Sequence, residues 1–178
     1  MSRFTRAAWL DLGLERLRDE GPEALTIERM CQAAGRTKGS FYHHFGSATE
    51  FLAAVIGRWR ERATDRIAEA ALAARTPELA LRTLGKLTGR MDHRLDVAVR
   101  RAAIGQPALE TEVEAADQRR EAVLAQLMAS AYVLDEARAR AAARLFHSVH
   151  LAGQLRAPDD VEAFTREAYG ALLRWVAV

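Results

Sequence analysis

No stretch of this 178-residue chain alternates apolar and polar residues over the length of a strand, and every long segment repeats its apolar positions at helical period. That regularity restricts the fold to an all-α arrangement. Glycine, proline and hydroxyl residues then cut the chain into elements. The spacing predicts a first helix from about Arg3 to Glu20, with Trp9, Leu10, Leu14 and Leu17 facing inward and Gly21-Pro22 ending it. Thr26 is placed to cap a short helix whose inner face is Ile27, Met30, Cys31 and Ala34, and Gly35 to end it in the left-handed region. Thr37 can cap a third, from Lys38 to Phe45. A long fourth helix follows Gly46-Ser47 and reaches about Arg75. Beyond Thr76-Pro77 come Pro77–Met91, Asp96–Ile104, Pro107–Tyr132, a helix capped by Asp135 and reaching Leu155, and a last one from Pro158-Asp159 to Trp175. The breaks are short, as between antiparallel neighbours. The expected division is an N-terminal unit, residues 1–47, and a C-terminal unit, residues 48–178.

Composition narrows the function classes. Apolar residues make up 49% and charged ones 28%, the balance of a soluble globular chain. No apolar run approaches the roughly 20 residues that span a bilayer, and the start lacks the apolar core and cleavage site of a signal peptide. A single cysteine, Cys31, excludes an internal disulfide and fits a reducing, cytoplasmic setting; at an inward position it reads as a small core residue. No Ser, Cys or Thr stands beside a His–acid pair, no glycine-rich phosphate loop follows a strand, and no metal-ligand spacing recurs. The chain is therefore expected to be neither an enzyme nor a metal or cofactor protein. The net charge of +2 is too small to argue for a polyanionic partner in bulk, but from Arg29 to Ser47 there are Arg29, Arg36 and Lys38 and no acid.

That acid-free window has the ingredients of a helix-turn-helix, a DNA-reading unit in which the second of two short helices enters the major groove. The third helix begins Arg36-Thr37-Lys38-Gly39-Ser40. Arg and Lys can donate to guanine or phosphate, Thr and Ser suit either, and Gly39 leaves room for close backbone approach. Phe41 and Phe45, four apart, would face the core. Tyr42, His43 and His44 would then lie on or beside the groove. Adjacent histidines on a helix point about 100° apart and make a poor metal site.

The stretch from Leu25 to Leu52 closely resembles the tetracycline-repressor-type (TetR) family of bacterial transcription regulators. The matching positions are Gly21, Thr26, Met30-Cys31, Ala34-Gly35, Lys38-Gly39, Phe41-Tyr42, His44-Phe45, Ser47 and Leu52. The resemblance implies about nine helices, a homodimer joined by the last two, and a C-terminal cavity whose small-molecule effector releases the protein from a palindromic double-stranded DNA operator. It adds Thr26 to the DNA-touching positions. Three residues depart from the pattern: Ala48 replaces a phosphate-binding lysine, Arg36 occupies a usually apolar turn position, and Gly13 replaces an alanine at a helix-propensity cost of up to about 1 kcal/mol.

For the effector cavity the candidates are Leu87, Met91, Val99, Ile104, Leu124, Met128, Phe146 and His150, an apolar set with few polar anchors; plain core is the competing reading. For a dimer seam they are Ala143, His147, Phe164, Ala168, Leu172 and Trp175, with packing inside one subunit as the alternative. The helix-sharing pair His147 and His150 suits a pocket wall or interface, or else a metal or anionic ligand. A DNA binder without a ligand and a helical adaptor that binds only proteins remain rival readings of the whole.

Overall fold

The computed structural model describes residues 4–176, and among them there is no strand. The helices are α1 (Arg6–Glu20), α2 (Ile27–Ala34), α3 (Lys38–Tyr42), α4 (Ala48–Arg60), α5 (Arg66–Leu72), α6 (Pro77–Thr88), α7 (His93–Ala103), α8 (Pro107–Tyr132), α9 (Glu136–Arg156) and α10 (Val161–Val176). A short 3₁₀ turn, Pro22–Leu25, links α1 to α2, and a π-helical turn, Glu61–Asp65, joins α4 to α5. With α4, that turn and α5 taken as one continuous helix, the described residues form nine. The expected start of the first helix at Arg3 lies outside the described residues. Two compact units divide the chain: residues 1–61 with 95–113, and residues 62–94 with 114–178.

Local chemistry sets the boundaries in the first unit. Thr5, Thr26, Thr37 and Ser47 each accept a backbone N–H three residues on, satisfying a donor that a helix start leaves orphaned. Gly35 ends α2 at φ 60°, where the Arg36 N–H reaches the Cys31 carbonyl (2.9 Å) and the Gly35 N–H that of Gln32 (3.2 Å). This paired closure needs the left-handed conformation that glycine supplies without strain. Farther along, the fully buried Asp96 carboxylate accepts from Trp59 Nε1 (3.0 Å) and Arg100 Nε (3.2 Å), tying α7 to the end of α4. Arg58 of α4 donates to Asp11 of α1 (3.2 Å) and to Glu61 (2.9 Å), and these two partners raise its pKa.

Gly13 has a structural reason. A Cβ built on it would stand 2.7 Å from Val55 Cγ2 and 2.9 Å from Phe51 Cζ, both side chains fully buried. The glycine lets α1 and α4 approach, so its cost in helix propensity is set against closer packing.

In the second unit small residues again let helices close on one another. Ala68, Ala71 and Ala80 pack with Val123 and Leu127; Ala139 and Ala143 pack with Ala125; and Met128 packs with Ala142. Gly153 faces Thr165, Val161 and Phe164, where a Cβ would come within 2.9–3.3 Å, so it seats α10 against α9.

The two glycines within helices α1 and α4 should respond oppositely to substitution. Gly57→Ala has nothing within 4 Å of the new methyl; it should stabilise by roughly 0.5–1 kcal/mol through helix propensity. Gly13→Ala should cost a net 1–2 kcal/mol or so, because crowding a filled core costs about 1–3 kcal/mol. Thermal melts of the two variants would show midpoints shifted by a few degrees in opposite senses.

Candidate nucleic-acid interface

The helix-turn-helix surface is built from the backs of the caps just described. Thr26, Thr37, Lys38, Gly39, Tyr42 and His43 are exposed and Ser40 is half-buried, while Phe41 and Phe45 are sealed inside. Thr26 and Thr37 use their hydroxyl oxygens as acceptors, each 3.3 Å from a backbone N–H. Their O–H protons remain available to donate to a phosphate. Tyr42 stands 52% exposed with its ring edge-on to Phe41. Ala48, at the start of α4, is exposed and brings no charge to this surface.

Three side chains are already occupied. Lys38 Nζ donates to Glu28 Oε1 across the turn between α2 and α3. The pairing holds the Glu28 carboxyl below the usual carboxylate range and the Lys38 ammonium above its own. The other two, Arg36 and His44, are half-buried and hold Phe4, just ahead of α1. The Arg36 guanidinium lies 5.8 Å over the Phe4 ring, and His44 Nε2 donates to the Phe4 carbonyl at 3.0 Å. The sequence pattern sets both among the groove-facing residues; the structure gives them the task of fixing Phe4, whose ring packs edge-on against Trp9.

In the second unit, residues of the π turn, α5, α6, α8, α9 and α10 enclose a cavity of about 370 Å³. Met91, Leu124, Met128, Phe146 and His150 of the expected set line it. Leu87 is half-buried and not among the lining residues. Val99, fully buried, and Ile104, 76% exposed, belong to the first unit and do not line it either. Sequence pattern pointed to His147 and His150 in this wall but gave no signal for Arg120, Thr64 or Tyr169. Arg120 donates from Nε to Thr64 Oγ1 (2.9 Å) and from Nη2 to the Ala63 carbonyl (3.3 Å), contacts that span more than 50 residues. Tyr169 is also in the wall, and burial pushes its phenol up to about 12, so it stays protonated.

The residues expected at a dimer seam separate. Ala143 is fully enclosed by its own chain, and His147 is buried in the cavity wall with Nε2 3.1 Å from Asp117 Oδ1; neither offers a face to a second subunit. On α10, Phe164 is 39% and Trp175 63% exposed, with Ala168 and Leu172 half-buried. His150 shares Gln154 with His93, each ring nitrogen 3.3 Å from the amide nitrogen. Among the described residues no three His, Cys, Asp or Glu side chains gather as metal ligands, and no helix is long and apolar enough to cross a membrane.

The Lys38–Glu28 pair competes with any phosphate for the same ammonium. Glu28→Gln should tighten binding to duplex DNA at low salt by up to about fivefold, since an exposed pair is a weak one. The salt dependence should steepen by up to about one unit of slope per freed lysine. Fluorescence anisotropy across a salt series measures both. Because the pair lowers the Glu28 pKa, it persists above that lowered value, and acid frees Lys38 only below the usual glutamate range.

Comparison with known proteins places this geometry. The family model described as bacterial regulatory proteins, tetR family, matches residues 10–55. No curated protein sequence matches the chain. Among solved structures, a transcriptional regulator of the TetR/AcrR family superposes with a TM-score of 0.74 at 15% identity, over 96% of this chain and 100% of its own. NemR of E. coli in its reduced form gives 0.72 at 18%, covering 95% and 94%. The ketosteroid transcriptional regulator KstR2 of Mycobacterium tuberculosis gives 0.65 at 16%, covering 94% and 92%. At these identities the likeness is one of fold. Residues 10–55 thus match the N-terminal module of the tetR family of bacterial regulatory proteins, and the chain as a whole is similar in fold to regulators of that kind.

Proposed function

We propose that the protein is a homodimeric transcriptional regulator of the cytoplasm, a repressor that a small, largely apolar effector releases from a palindromic DNA operator. The observation that carries this reading is the first turn of α3. It presents Thr37, Lys38 and Gly39, with Tyr42 and His43 one turn on, from a helix anchored by a single buried ring, Phe41. A helix of five residues has no stability alone. Held this way, its polar groups keep the fixed geometry that base and phosphate contacts require. The cavity of the second unit supports the effector, and the exposed Phe164 and Trp175 of α10 support a second subunit.

In this reading two copies set their α3 helices about 34–36 Å apart, one turn of B-form DNA, so that each enters a major groove of one half-site. The effector favours a state whose spacing no longer fits, with a coupling of about 1–3 kcal/mol.

Gel-shift titrations with genomic fragments test the core of it. Sequence-specific, salt-sensitive binding is expected, and Lys38→Ala with Tyr42→Ala should reduce it to the non-specific level. Specific binding that survives both changes overturns the assigned reading surface, and non-specific binding by the wild type overturns the regulator itself. Sedimentation tests the assembly: the wild type should run as a dimer, and Trp175→Glu should shift it toward monomer at micromolar concentration.

A further inference from the structure

The cavity of the second unit is apolar over most of its wall, with Leu81, Leu84, Val123, Leu124, Met128 and Phe146 among its lining residues. Its charged members are one-sided. Arg82 and Arg120 line it together with His147 and His150, and no Asp or Glu does. Asp117 lies 3.6 Å from Arg120 Nη1 and 3.1 Å from His147 Nε2 but is not part of the lining. Arg82 is exposed and forms no ion pair with a described residue. The buried phenol of Tyr169 stays neutral, donates to the Phe146 carbonyl (3.5 Å) and brings no negative charge to the wall.

The three kinds of head group an apolar ligand can carry fare differently here. An ammonium would be stripped of water beside two guanidinium groups and find no carboxylate in the wall to receive it. A hydroxyl would gain one neutral hydrogen bond. A carboxylate would take charge-assisted bonds from the Arg82 guanidinium and from Arg120 Nη1, while Arg120 Nε and Nη2 keep their bonds to Thr64 and Ala63, in a cleft whose lining carries cations and no acid.

We propose that the effector is an apolar molecule bearing one carboxylate-like anionic group, which Arg120 and Arg82 recognise while the tail lies against the Leu, Met and Phe side chains of the wall. This rests on the reading that the cavity takes an effector.

Calorimetric titration of the intact protein with decanoate, 1-decanol and decylamine near neutral pH tests it. Decanoate should bind roughly tenfold tighter than 1-decanol, the difference between a charge-assisted and a neutral hydrogen bond, with decylamine weakest. Arg120→Gln should bring the decanoate-to-decanol ratio toward one. Arg120 also holds the π turn, so Arg82→Gln, at an exposed position, provides the second variant and should lower the ratio in a folded protein. Equal binding of decanoate and decanol, or a preference that survives both substitutions, overturns the anionic head group and leaves a cavity for neutral effectors. If none of the three binds, the effector reading falls with the proposal, while operator binding stands or falls separately by gel shift.

Discussion

Phe41 is the contact on which the helix-turn-helix unit depends. Its ring lies 5.4 Å from Trp9 of α1, 5.3 Å from Phe45 beyond α3 and 5.2 Å from Phe51 of α4. The aromatic side chains stack edge-on or tilted, each buried to within about one percent of completely. One residue of α3 is thereby fastened to α1, to α4 and to the segment between α3 and α4. The direction of Lys38, Ser40 and Tyr42 follows from where Phe41 is seated. Gly13 completes the arrangement from the other side, since α4 could not bring Phe51 and Val55 so close to α1 past a methyl group.

Much of this was legible in the sequence because its causes are local. Thr26, Thr37, Gly35 and Asp135 act on backbone groups within a few residues, and a cap or a left-handed glycine carries the same meaning wherever it occurs. The inward faces of α1 and α4 follow from period alone. What escaped depends on contacts across long separations. Arg36 and His44 look like groove residues by composition, yet Phe4, 40 residues from His44, engages both, by its ring for Arg36 and by its carbonyl for His44. The propensity cost of Gly13 shows in the sequence, but its reason is invisible until α4 is set beside it. In the cavity, periodicity singled out the inward stripe of α8 and α9 but could not tell that Val99 and Ile104 belong to the other unit.

The arginines carry much of the polar architecture, in keeping with a chain that has only two lysines, Lys38 and Lys86. Arg58, Arg60, Arg100 and Arg120 each bridge to partners on their own or another helix, and the planar fork satisfies two acceptors at once. Lys38, at the start of α3, carries instead a compact, mobile ammonium, and leaving Glu28 costs it only a weak exposed pair.

A π turn holds one residue more than an α turn, so the continuous helix over residues 48–72 carries a surplus residue at Glu61–Asp65. Elsewhere in a helix, gaining or losing a residue turns every side chain beyond it by about 100° and ruins the buried face. At this turn the helix has already absorbed such a step, and Arg120 secures the widened backbone by its grip on Ala63 and Thr64. The turn is therefore a place where the helix can take a change of length without moving its buried face. Alignments of distant relatives should place a one-residue gap at these positions.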